Sequence, residues 1–227
     1  MKTLVVDIGG THVKLMIDGA EHRHFDSGPQ MQPADFVVKL KETTRDWKFD
    51  SISIGFPAPI RGGKISRNPK HLGQGWVDFD FQNAFDHPVH IINDAAMQAL
   101  GSYHGDRMLF LGLGTGLGAA LILENLLFPL ELGDLPYRQR DIIENFLGIP
   151  GIERLGLEEW KKEVIFAVTR LKKAFIADYV VLGGGNVHRF DQLPDGIERG
   201  ENENAFLGGL RLWETDPQTG ETKWQIF

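Results

Sequence analysis

The stretch DIGGTHVKL, Asp7–Leu15, decides how this chain is read. A β-branched apolar burst, Thr3–Asp7, stops at Gly9–Gly10, and His12–Asp18 reads as a second strand, so the glycines must turn the chain tightly. Bare backbone N–H groups, the Thr11 hydroxyl and the strand-ending Asp7 carboxylate fit an anion with a hydrated Mg²⁺ beside it. A plain hairpin that needs glycine for positive φ fits equally well. A second stretch, LGTGLGAAL at Leu113–Leu121, repeats this organisation without repeating the residues. In Gly112–Gly118 four glycines alternate around Thr115, a poor strand but a good wrapping for phosphate; a flexible turn is the bland alternative. No GK[ST] follows and no Rossmann unit surrounds it, so it is neither a Walker loop nor a dinucleotide fingerprint. Two such turns, one near each end of the first half of the chain, imply two lobes facing one ligand.

Working outward, Ala34–Thr44 reads as a helix opened by Pro33, and Asp50–Phe56 as a strand broken by Pro57 and Pro59. Residues 57–77 are rich in Gly, Pro, Arg and Asn without periodicity, a long loop of the kind that carries function. Strand Val89–Ile92 meets Asn93–Asp94 and a helix through Tyr103. Met108–Leu113, Gly118–Leu123 and Leu126–Leu130 read as strands, and Arg138–Leu147 and Leu157–Phe175 as helices. The second helix carries Trp160, Val164, Ala167, Val168 and Leu171 on one stripe. Tyr179–Leu182 is a strand ending in Gly183–Gly185, and a last helix, Glu203–Trp213, precedes a polar tail ending in Trp224 and Phe227.

At 227 residues the chain suits one large domain or two compact halves. With 42% hydrophobic and 24% charged residues it has the balance of a chain that buries a core. A formal charge of −7 argues against generic attraction to nucleic acid or an anionic membrane. The absence of cysteine removes disulfides, thiol nucleophiles and thiolate metal sites, which points to a cytoplasmic protein. The N-terminal apolar run is too short for a signal segment, and no window is apolar enough to span a bilayer.

Asp94 at a strand–helix junction reads either as a helix N-cap or as a rigidly held carboxylate that takes a proton from a hydroxyl, and both roles can coexist with Asn93 orienting it. The run VVLGGGN, Val180–Asn186, offers bare backbone for a flat ring, although glycine is common where a strand gives way to a helix.

In this order the pieces resemble the sugar kinases of the ROK family, within the actin/hexokinase superfamily. DIGGTHVK is similar to the first phosphate loop, GFPAPIRGGKI to the Pro-rich segment after the third core strand, and RNPKHLGQGW to the sugar loop. INDAAMQALG resembles the catalytic Asn-Asp junction, LGTGLGAALI the second phosphate loop, ELGD a Glu-Leu-Gly-His motif, and VVLGGGN the adenosine loop. The likeness covers most of residues 3–186, and LILENLLFPLELGD and the helix leading into VVLGGGN are most similar to polyphosphate/ATP-dependent glucokinases.

The resemblance implies an α/β fold of the two-lobed, actin-like ATPase (ribonuclease H-like) type, with mixed sheets and an interlobe cleft. Residues 1–93 would form the smaller lobe and 94–227 the larger, the last helix packing back on the first. It implies a kinase moving a phosphoryl group from ATP or polyphosphate to the 6-hydroxyl of a hexose, glucose first. Asp94 would be the base, and Asn68, Asn93, Glu131 and Asp134 would face the sugar. Gly9, Gly10, Thr11, Gly114, Thr115 and Gly116 would cradle phosphate, Gly183, Gly184, Gly185 and Asn186 would hold the nucleotide, and Asp7 would stand by Mg²⁺. No zinc is expected, because relatives that bind it do so through cysteines.

Asp134 departs from the family's His: an acceptor-only carboxylate replaces a ring that can donate, which puts sugar preference in question. A kinase for an amino sugar, whose ammonium Asp134 could pair, is therefore an alternative, as is a non-catalytic sugar-binding regulator of the same fold. The chain's shortness bears on the homodimer usual in the family. The helix 157–175 mixes Lys161, Lys162, Arg170, Lys172 and Lys173 with Glu158, Glu159 and Glu163, which reads better as a solvated face than as a polyphosphate track. Among the tryptophans only Trp76, inside the sugar loop, has an argument for a place near substrate. Arg61 and Arg67 fit phosphate or solvent alike.

Overall fold

The computed structural model describes residues 2–17, 21–201 and 203–227; Asp18, the end of the expected second strand, lies outside them. In the first half, β1 (Thr3–Ile8), β2 (His12–Ile17) and β3 (Glu21–Asp26) precede α1 (Pro33–Thr43) and β4 (Ser51–Phe56). The small hairpin β5 (Ile60–Arg61) and β6 (Lys64–Ile65), the turn α2 (Phe81–Ala84) and β7 (Val89–Asn93) follow. Then come α3 (Asp94–Ser102), β8 (Arg107–Leu113), β9 (Leu117–Leu123), β10 (Leu126–Leu130), α4 (Glu144–Leu147), α5 (Ile149–Leu155) and α6 (Leu157–Ala174). The chain ends with β11 (Tyr179–Gly183), β12 (Ile197–Arg199), α7 (Asn204–Arg211) and β13 (Gln225–Ile226).

The two sheets are built alike. The first runs β3-β2-β1-β4-β7 and the second β12-β11-β8-β9-β10-β13. In each, three consecutive strands form an antiparallel meander, and two parallel strands extend it from the first of the three. The two glycine turns therefore occupy equivalent places, between β1 and β2 and between β8 and β9. The repeat of organisation visible in the sequence is a repeat of topology, and the mixed α/β, two-lobed class expected from it is the class observed.

Burial explains the layering. One face of the first sheet packs Leu4, Val6, Ile8, Leu15, Ile52 and Ile54 against Phe36 and Leu40 of α1. The outer face of the second packs Leu109, Leu111, Val180 and Leu182 against the expected α6 stripe of Trp160, Val164, Ala167, Val168 and Leu171. Between the sheets lie α3 and α7, where Ala96, Met97, Leu100, Ala205 and Phe206 meet Val5, Met16, Phe110 and Ala120. Helix α7 contacts β1 and β4 as well as α3. Small residues allow this: a Cβ on Gly101 would strike the Asn204 carbonyl, and one on Gly209 the Val5 side chain.

Two expectations are corrected. Arg138–Leu147 is not one helix: Gln139 and Arg140 have φ of 57° and 63°, and Pro136 bridges Ile142, so a turn precedes the short α4. Trp76 is fully buried among Phe36, Phe56 and Phe81, and it anchors the loop from beneath instead of facing substrate. The polar tail is held in place, since β13 pairs in parallel with β10 and Trp224 is buried. Two further short elements, β5–β6 and β12, lie where the sequence showed only loop.

Candidate active site

The strand–helix junction holds the central carboxylate. Strand β7 is parallel to β4 and delivers Asn93, whose Oδ1 accepts the Ala96 N–H at 3.1 Å and so caps α3. Asp94 is thus the first helical residue and not the cap. Its Oδ1 accepts the Ala95 N–H at 2.8 Å, and its other oxygen has no protein partner among the described residues. Behind it Ala95 presses on Gly118 of β9, where no Cβ would fit.

A cleft of about 400 Å³ opens above this junction, lined from both halves of the chain. The first glycine turn contributes Gly9 and Gly10, and the second contributes Gly114, Thr115 and Gly116. The remaining walls include Asn68, Asn93, Asp94, Glu131 and Gly184. The turn at Gly9 is a hairpin closed by its N–H to the His12 carbonyl at 2.9 Å, and Ser27 braces it by donating to the Gly9 carbonyl at 2.6 Å. The turn is thus a hairpin, but not for the reason expected: neither Gly9 nor Gly10 has positive φ, and the Gly9 N–H is spent within the turn, which leaves that of Gly10 for an anion.

Thr11, Asp134, Gly183, Gly185 and Asn186 do not line the cleft, nor does Asp7, which lies beneath it. Asn186 is buried, donating to the Gly114 carbonyl at 3.1 Å and accepting from Arg189 at 2.9 Å; it ties the third glycine run to the second turn. Gly184, at φ 78°, lies so close to the Leu113 backbone that no side chain could fit. Asn68 donates to Gln74 at 2.9 Å and accepts the Trp76 N–H at 3.0 Å, so it shapes its own loop while facing the cleft.

Electrostatics single out the acids. Burial pushes Asp94 up to about 7, helped by the negative charges of Asp7 and Glu131 and opposed by the Ala95 N–H. Burial likewise raises Asp7 to about 6, against the pull of Lys14, its partner across the ladder. Glu131 is raised by burial, while Arg67 draws it back.

Charged contacts that cross the cleft were not foreseen as such. Arg67 donates to Glu131 at 3.0 Å and meets Asp134 at 3.5 Å. Lys70 meets Glu144 at 2.6 Å. Glu144 in turn accepts the Leu117 N–H at 3.3 Å and fills the space a Cβ on Gly116 would need. These pairs join residues 64 to 74 positions apart, which no local pattern marks.

A duplicated meander, paired glycine turns and an acid at the junction between them define a two-lobed, actin-like α/β protein. The family model described as the ROK family matches residues 3–129, more than half of the chain, and the chain belongs to that family. A glucokinase from Pyrobaculum calidifontis is 24% identical over 132 residues, 56% of this chain and 45% of that protein. The chain thus matches less than half the length of that relative. Among solved structures, an inorganic polyphosphate/ATP-glucomannokinase from Arthrobacter sp. strain KM superposes with a TM-score of 0.78 at 22% identity, covering 92% of this chain and 96% of that one. A ROK family glucokinase from Streptomyces griseus, in complex with glucose and AMPPNP, gives 0.72 at 14% identity, with 92% and 98% covered. Those two likenesses are likenesses of fold. Among the described residues no helix is long and apolar enough to cross a membrane.

Proposed function

We propose that the chain is a sugar kinase, moving a phosphoryl group from ATP or polyphosphate to the 6-hydroxyl of a hexose, with glucose the first choice. The observation that carries this reading is Asp94, fixed at the start of α3 on the floor of a cleft walled by both glycine turns. As the hydroxyl oxygen attacks phosphorus, its proton passes to the free oxygen of Asp94. The bond from phosphorus to the donor's bridging oxygen breaks, and the departing phosphate keeps that electron pair. A carboxyl poised near 7 is basic enough to accept that proton at neutral pH.

Around that step Asn93 and Glu131 would hold sugar hydroxyls, with Asn68 keeping the sugar loop in shape. Gly10, Thr115 and Gly116 would present N–H groups to the phosphates, Gly9 and Gly114, whose N–H groups close their own turns, would keep the cleft wall bare for a close approach, and the Gly183–Gly185 run would border the nucleotide. Asp7 offers one hard oxygen donor beside Asp94, a set that suits a cation carried in largely by phosphate and water. Mg²⁺ there would supply charge neutralisation for the transferred group. We take residues 1–93 and 94–227 as the two lobes, whose closing would exclude water. On α6, Lys161 and Lys162 are paired with Glu158 and Glu159, which favours ATP over a polyanion following that helix. An ATP donor in turn agrees with a cytoplasmic setting.

A coupled assay over a hexose panel, with ATP or polyphosphate and with or without Mg²⁺, tests the reading. Turnover of glucose with ATP and Mg²⁺ is expected. No turnover of any hexose with either donor would overturn it.

A further inference from the structure

On the sugar-kinase reading Glu131 lines the sugar end of the cleft and Asp134 stands just outside the lining, each about half exposed. Two unpaired carboxylates there would attract a cationic substrate, because a primary ammonium gains charge-assisted hydrogen bonds from each. The structure does not leave them unpaired. The Arg67 guanidinium lies between them, one nitrogen on Glu131 at 3.0 Å and the other on Asp134 at 3.5 Å. Arg67 lines the cleft while Asp134 does not, so the acid meets the site through the arginine.

We propose that Arg67 is the specificity-determining residue of the sugar end, making the chain select neutral hexoses over amino sugars by occupying both acids. This rests on the sugar-kinase reading above. Arg67 also turns the acceptor-only Asp134 into a unit that can donate, since a guanidinium engaged by two carboxylates keeps further N–H groups for a hydroxyl. An ammonium entering beside it meets like charge and finds its natural partners taken. As a stabilising contact the network is worth little, because exposed ion pairs contribute at most about 1 kcal/mol. Its consequence lies in recognition.

Glucose and glucosamine, titrated separately by calorimetry and assayed for kcat/KM, provide the test. Arg67→Gln should move the glucosamine-to-glucose ratio toward glucosamine by at least about tenfold. Arg67→Lys, which keeps the charge but lacks the fork that engages both acids, should give a ratio between those of the wild type and Arg67→Gln. Adding Asp134→Asn to Arg67→Gln should take back most of the gain. A parallel change for both sugars, or an unmoved ratio, overturns the inference, as does a gain that survives the second substitution. If the unsubstituted chain phosphorylates neither sugar, the kinase reading fails, while the calorimetric ratio still decides the role of Arg67.

Discussion

Gly101 of α3 and Gly208 of α7 meet backbone to backbone. A Cβ on Gly208 would fall on the Met97 carbonyl, just as one on Gly101 would fall on that of Asn204. Since Asp94 begins α3, the depth of this seam sets where its carboxylate stands relative to both glycine turns.

Gly208→Ala should therefore disturb the site from a distance. The methyl group has only backbone to displace, so α3 and α7 must part, lowering stability by about 1–3 kcal/mol. Thermal melts would read that loss, and kcat should fall more than the KM for sugar rises. An unchanged kcat in a destabilised variant would show that α3 keeps its place by other contacts.

Asp94→Asn separates catalysis from stability, with opposite signs. Loss of the base should lower kcat by at least roughly 10²-fold. The folded state raises this carboxyl, so its favourable contribution is full below the ordinary carboxylate range and is lost as pH rises toward about 7. At pH 8 the wild-type chain holds an ionised, desolvated Asp94, and the amide should melt higher by roughly 2 kcal/mol, allowing for partial solvent access. The advantage should shrink as pH falls toward 4. An Asn variant less stable than wild type at pH 8 would contradict the burial argument.

Activity should follow the same ionisation. With Asp94 needed as a carboxylate, kcat/KM for glucose should climb with pH and level off above about 7. Asp7 titrates close by, near 6, so the rise belongs to the pair and should be broader than one group's. A profile flat from pH 5 to 8 would remove Asp94 from the proton transfer.

Lys70→Ala tests the contact between the loop of residues 57–77 and the second glycine turn. The Lys70–Glu144 pair is exposed on the lysine side, so Tm should fall by less than about 2 °C. The KM for the phosphoryl donor should rise by about threefold to tenfold, because Glu144 then braces the turn alone while a cation leaves the cleft wall. A change in sugar KM with no change in donor KM would place Lys70 at the other end of the cleft.

What the sequence revealed was whatever local chemistry writes locally. Glycines at Gly9–Gly10 and Gly112–Gly118 mark turns where neighbours crowd in, His71 against Gly10, Glu144 against Gly116 and Ala95 against Gly118, and the stripe from Trp160 to Leu171 marks α6 because a helix has one buried side. Asp94 stood out because a carboxylate ending a buried strand needs a reason to be there. Long-range pairings left no such mark. Arg67 finds Glu131 and Asp134 only after the halves have folded together, and β13 finds β10 only across the intervening residues 131–224. The segment Arg138–Leu147 misled because Ile142, Ile143, Phe146 and Leu147 recur at helical spacing. Gln139 and Arg140 nonetheless turn the chain left-handed just before them. Trp76 misled because a Gly-Trp pair in a loop looks displayed, whereas its ring fills the core below.

The pairing of β13 with β10 has a bearing on handling. Gln225 donates to the Asn125 carbonyl at 2.9 Å, Phe227 donates to that of Leu127 at 3.1 Å, and the Phe227 ring stacks on Phe128 at 4.7 Å. These last residues finish the margin of the second sheet. Without them the sheet would have a raw border whose vacant carbonyls invite a strand from another molecule, and clumping would then begin at Leu126–Leu130 while the cleft was still intact.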